Sequence, residues 1–131
     1  MLQTYSSENQ NQMMEHMQDC VRNCLDCVAA CQMCAAECVQ MGKPEMAECI
    51  AKCLDCAEIC TLDANYMSRN SSYHFSTCEL CAQICQDCEQ ICRTLLVSSQ
   101  SPAMQECAEA CKTCADSCSR MAQMKPAEGM H

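Results

Sequence analysis

The chain has 131 residues, enough for one domain with a core of its own. Half of it counts as hydrophobic, but 19 cysteines and 12 methionines supply much of that share, and there is one Phe and no Trp. A net charge of −9 and a pI near 4.6 argue against nucleic acid and anionic membrane surfaces as partners.

No run of 18 apolar residues suggests a membrane span. The opening residues lack a basic stretch followed by an apolar one, and they lack a twin-arginine signature. A cytosolic chain with reduced thiols is therefore expected. A disulfide scaffold is the usual reading of so many cysteines. Here the number is odd and the spacing is helical, which opposes it.

Residues 1 to about 8 read as a polar, frayed start. The first helix then spans about 9–41, with Cys20, Cys24, Cys27, Cys31, Cys34 and Cys38 in alternating steps of four and three. That is a heptad seam with sulfur where Leu or Ile normally stands. It covers about five turns, or roughly 27 Å, so all six thiols share one stripe. Met13 and Met17 extend the series backwards, and Gly42 follows as the C′ residue. Pro44 is placed to open the second helix, about 44–68, which carries Met46, Cys49, Cys53, Cys56 and Cys60.

The polar stretch Ser68–Ser72 separates the halves, with Ser71 or Ser72 as the expected N-cap of the third helix, about 72–97. That helix carries Cys78, Cys81, Cys85, Cys88 and Cys92. Ser101 and Pro102 form an N-cap and N1 pair for the fourth, about 102–123, with Met104, Cys107, Cys111, Cys114, Cys118 and Met121 in register. The tail Met124–His131 is expected to be disordered. Short connections make consecutive helices antiparallel neighbours. The fold expected for residues 1–131 is thus one all-α domain, an up-down-up-down four-helix bundle with a cysteine-lined core. Val21, Leu25, Val28, Ile50, Leu54, Ile84 and Ile91 flank the seam. Those on the first two helices are expected to bury a subunit contact.

A packing role for the cysteines explains one or two positions, but not the exclusion of Leu and Ile from four seams. Soft thiolates select Cu(I), Zn(II) and iron–sulfur clusters. Zinc needs four ligands around a point, whereas one straight stripe offers an extended line. The chain has no C-x2-C-x2-C-x3-C-P run for an iron–sulfur cluster. Cu(I) accepts two or three sulfurs, and thiolates can bridge ions. A monovalent ion per thiolate also keeps a buried array near neutral. Ligand counting gives roughly 13 to 19 ions per chain. The alternatives are a zinc or cadmium buffer of metallothionein type and a thiol redox protein. The latter lacks the βαβ context of its motif and any nucleophile with a dedicated base, so no enzyme is expected.

The pattern CxxxCxxCxxxCxxCxxxC in the first helix recurs as CIAKCLDCAEIC, CELCAQICQDCEQIC and CAEACKTCADSC in the others. Over about residues 13 to 121 it resembles the bacterial four-helix-bundle copper storage proteins, specifically their cytosolic branch. The resemblance implies storage of many Cu(I) ions along the bundle axis, a homotetramer, and exchange with copper chaperones or copper enzymes. It also places the copper mouth at the end holding the 1–2 and 3–4 connections. Relatives often carry histidine there, whereas the connections Cys38–Cys49 and Cys92–Cys107 hold none.

Met41, Met46 and Met104 gather at that end as candidate thioether ligands that pass Cu(I) to the thiolates. Met13, Met17, Met67 and Met121 gather at the other end with His16 and His74, where Tyr66, Tyr73 and Phe75 are expected to close the axis. His74 is in register with Cys78, although a satisfied or exposed imidazole is the plainer reading. His16 is one position out of register and His131 lies in the tail.

Overall fold

A computed structural model of the chain describes residues 2–126, with side chains from Gln10 onward. Four helices make up the architecture: α1 (Leu2–Met41), α2 (Ala47–Ser68), α3 (His74–Ser99) and α4 (Pro102–Gln123). Each packs against two others in the ring α1–α2–α3–α4, which closes back on α1. This is the up-down-up-down bundle that the seam spacing predicts.

The connections follow from local chemistry. Gly42 ends α1 with φ 65°, a left-handed conformation that glycine adopts at little cost. Pro44 opens a single 3-10 turn, Pro44–Met46, before α2 begins at Ala47. Ser101 caps α4 as expected, its Oγ accepting the Met104 N–H at 3.1 Å, with Pro102 in the first turn.

Two boundaries differ from expectation. The backbone of α1 is helical from Leu2, where a frayed start to about residue 8 was expected. Neither Ser71 nor Ser72 caps α3, which starts at His74 after Tyr73. Ser71 instead closes the preceding turn: its Oγ accepts the Tyr73 N–H at 3.2 Å and its carbonyl accepts the His74 N–H at 3.1 Å. Asn70, at φ 50°, turns the chain just before it. Most of the tail expected to be disordered, including His131, lies outside the described residues.

α1 is 40 residues long, about 60 Å, against 22 residues, about 33 Å, for α2 and α4. Its C-terminus is level with the other helices, so its N-terminal turns run past the ends of α2 and α4. By length and composition, Gln10–Met41 could cross a membrane. Cysteine supplies that apolarity, however. The sulfur stripe faces the other three helices, while Asp19, Arg22 and Asp26 stand exposed on the outer side. α1 is therefore the core helix of a bundle.

The core consists almost wholly of the seams. All 19 cysteines are buried, joined by small residues such as Ala35, Ala57, Ala82, Ala108 and Ala115 that let the helices approach closely. Methionines plug both ends: Met46 and Met104 at one, Met17, Met67 and Met121 at the other. Outside, ion pairs such as Arg93–Glu89 and Lys112–Asp116 join successive turns on exposed faces and contribute little to stability.

Candidate metal centre

Every cysteine is a free thiol, so the bundle is not a disulfide scaffold. Antiparallel pairing brings the four seams into levels along the axis. Cys34, Cys53, Cys92 and Cys107 form one level, with all four Sγ atoms within 4.8 Å of one another. Below it come Cys31, Cys88, Cys107 and Cys111, then Cys27, Cys31, Cys56 and Cys111. The next two are Cys27, Cys60, Cys85 and Cys114, then Cys24, Cys60, Cys81 and Cys114. Several cysteines belong to two levels, so neighbouring sites share ligands.

The sharing makes a continuous sulfur path. From Cys92 it runs through Cys49 (3.8 Å), Cys53 (4.0 Å), Cys107 (3.9 Å) and Cys31 (3.7 Å). It continues through Cys27 (3.9 Å), Cys56 (3.7 Å), Cys60 (4.0 Å) and Cys114 (3.8 Å). Cys24 (3.6 Å), Cys118 (3.8 Å) and Cys20 (3.5 Å) complete it. These are van der Waals or weak S–H contacts between thiols, so the interior packs without metal. Burial is costly for a lone thiolate, and it pushes the Cys38 thiol up to about 11. A metal ion that replaces the thiol protons removes that cost.

A single helix offers a line of sulfurs, but four helices gather four of them around a point at each level. Tetrahedral coordination is therefore geometrically available, and ligand geometry alone does not exclude zinc.

The far end of the array is not all sulfur. Asp63 is fully buried, with Oδ1 2.7 Å from the Thr77 hydroxyl and 3.2 Å from Cys78 Sγ. Its Oδ2 is 3.4 Å from Cys118 Sγ and 3.8 Å from Cys24 Sγ. Burial raises this carboxyl above its ordinary value, against the lowering effect of the Thr77, Cys78 and Cys118 donors. Sequence reasoning did not single it out. The signal was present, because Cys60, Asp63 and Met67 continue the three-and-four rhythm of α2.

His74 is also buried, and among the described residues its Nδ1 has no hydrogen-bond partner. The plainer expectation of a satisfied or exposed imidazole is thus overturned, since register with Cys78 carries the ring inward. Burial lowers its pKa. His16 is only half-buried. The aromatics do not close the axis as expected. Tyr73 is 67% exposed and its ring lies 6.4 Å from that of Tyr66, while Phe75 stacks on His74 at 4.0 Å. The plug is Met17, Met67, Met121 and His74. At the opposite end Met46 and Met104 are buried and Met41 is half-buried.

The sequence model of the copper storage protein family matches residues 13–123. The chain belongs to the copper storage protein family. A cytosolic copper storage protein from Streptomyces lividans, solved during copper loading with five coppers, superposes with a TM-score of 0.79 at 28% identity. The match covers 88% of this chain and 99% of that one. The Cu(I)-bound copper storage protein BsCsp3 aligns at 33% identity and TM-score 0.73, over 82% of this chain and 98% of its own. The apo copper storage protein 3 of Bacillus subtilis aligns at 35% identity and TM-score 0.70, over 79% and 95%. A search of curated protein sequences finds no match. The four-helix architecture and cysteine-lined interior are those of the family.

Proposed function

We propose that this protein stores and sequesters Cu(I) in the cytosol, holding many ions on the thiolates that line its bundle. The observation that carries this is the sulfur path from Cys92 to Cys20, in which every step is 3.5–4.0 Å and successive four-sulfur levels share members. Isolated zinc sites need closed, separate ligand sets. Bridging thiolates along an axis suit a soft monovalent ion that takes two or three sulfurs at a time. Membership in the copper storage family and the copper-bearing relatives support the same choice of metal.

In this reading all 19 cysteines are ligands, and Met41, Met46 and Met104 form a thioether mouth that hands ions inward. The role is capacity rather than catalysis, with copper chaperones or copper enzymes as the proteins that deliver or receive the metal. The chain assembles as a homotetramer through the exposed and half-exposed aliphatic residues of α1 and α2. Leu25 and Leu54 are exposed there, beside half-buried Val21, Val28 and Ile50.

The geometric fit to tetrahedral coordination keeps a zinc reading in view, and a displacement experiment separates the two. Apo protein is loaded anaerobically with Zn(II), and then Cu(I) is added as a chelate. Release of all bound zinc with uptake of many Cu(I) ions supports copper storage. Zinc retained against excess Cu(I) contradicts it.

A further inference from the structure

We propose that the groove beside the N-terminal turns of α1 is a second soft-metal port, built of thioethers, which feeds Cu(I) into the end of the array opposite the Met41, Met46 and Met104 mouth. The proposal rests on the storage reading above and adds a site to it. A groove of about 770 Å³ opens where α1 runs past α2, and Met13, Met14, Met17 and Met67 line it. Four thioethers in one surface groove are more sulfur than a helix end needs for packing.

Their exposures descend inward. Met14 is 56% exposed, Met13 is half-buried, Met17 is 9% exposed and Met67 only 1%. Met14 and Met17, and likewise Met13 and Met17, are spaced by three and four residues, so each pair is adjacent on one face of α1. Met67 Sδ then lies 3.6 Å from Cys78 Sγ, which is fully buried. Cys78 reaches the rest of the array through Asp63, whose two oxygens contact Cys78 and Cys118. Soft donors therefore run from solvent to Cys78, and the Asp63 carboxylate bridges from there to Cys118 and Cys24.

The chemistry suits a port rather than a store. Thioethers are soft but neutral, so they bind Cu(I) more weakly than thiolates and release it to them. Transfer is a ligand exchange: the ion stays monovalent, a Cu–thioether bond breaks, a Cu–thiolate bond forms, and the thiol proton leaves to buffer. Arg22, a cation on the groove wall, is paired with Asp19, which offsets its repulsion of an incoming cation.

The test compares Cu(I) loading rates by anaerobic stopped-flow in four full-length proteins: the parent, M13L/M14L/M17L, M41L/M46L/M104L, and the six-fold variant. Met→Leu keeps volume and helix propensity, and circular dichroism checks the fold. The groove variant is expected to load several-fold more slowly than the parent, and the six-fold variant more slowly than either triple. Final capacity should fall by at most a few ions, since all 19 cysteines remain. In M41L/M46L/M104L, brief exposure to one equivalent of Cu(I) followed by alkylation should show Cys78 and Cys118 protected first.

Groove substitutions that leave the rate unchanged, both alone and in the M41L/M46L/M104L background, overturn the proposal. So does a groove variant that changes sedimentation but not uptake, which assigns the groove to contacts between copies. A parent that takes up little Cu(I) fails the storage reading instead, and capacity measured on the same sample shows which has failed.

Discussion

Removing one level of sulfurs from the middle of the bundle should lower copper capacity by a countable amount and leave the rest of the store working. Cys27, Cys31, Cys56 and Cys111 are the level to remove, because five of their six mutual Sγ separations are 3.7–3.9 Å. If each thiolate serves two ions and each ion takes two or three thiolates, four sulfurs account for about 3 to 4 ions. Changing all four to Ala takes four buried sulfur atoms from the core at about 1 kcal/mol each, or about 4 kcal/mol if the sites were independent. Their contact makes that sum non-additive. It still falls below the ~5–15 kcal/mol typical of a domain, so the apo variant should fold. Circular dichroism checks the fold, and anaerobic loading followed by metal and thiol quantification counts the ions. An unchanged capacity in a folded variant means that these thiols hold no copper. Loss of nearly all capacity means that the array binds as one indivisible cluster, which refutes the level-by-level reasoning.

The reduced apo protein should already be mostly helical, since its thiols pack when protonated and its helices are Ala-rich; a coil-like far-ultraviolet spectrum contradicts this. Copper, which binds the folded form, should then raise the unfolding temperature. Leu25→Glu with Leu54→Glu should give smaller species in analytical ultracentrifugation, because both side chains are exposed on the proposed contact face; an unchanged sedimentation coefficient with intact helices removes that face from the assembly. Asp63 predicts a pH effect. Burial raises its folded pKa above the unfolded value of about 4, so its contribution to apo stability is complete below that pH and declines as pH rises through the folded value. Asp63→Asn should flatten this decline in denaturant titrations, and an unaltered slope shows that the carboxyl is not its source.

The bundle was legible because its signal is redundant. Four seams carry the same three-and-four rhythm, and Gly42, Ser101 and Pro102 sit where helix ends need them. The cysteine lining followed from that rhythm, since residues in one register share one face. Four features were not legible, each for its own reason. Asp63 stands in register, but its residue type argued for the surface, and only the donors around it show how a carboxyl is accommodated there. His74 likewise obeyed the register against the usual preference of imidazole for partners or water. The gathering of four sulfurs around a point depends on how helices align, and the sequence of one helix does not contain that information. Aromatic bulk near the far end suggested a seal, but Tyr73 points to solvent and methionine fills the axis.

The central claim, that the sulfur path is a store for Cu(I), is tested most directly by titrating reduced apo protein with Cu(I) against a chelator of known affinity. The expected result is tight binding up to roughly 13 to 19 equivalents per chain, with every cysteine protected from thiol reagents at saturation. Saturation at one or two equivalents, with most thiols still reactive, would contradict it.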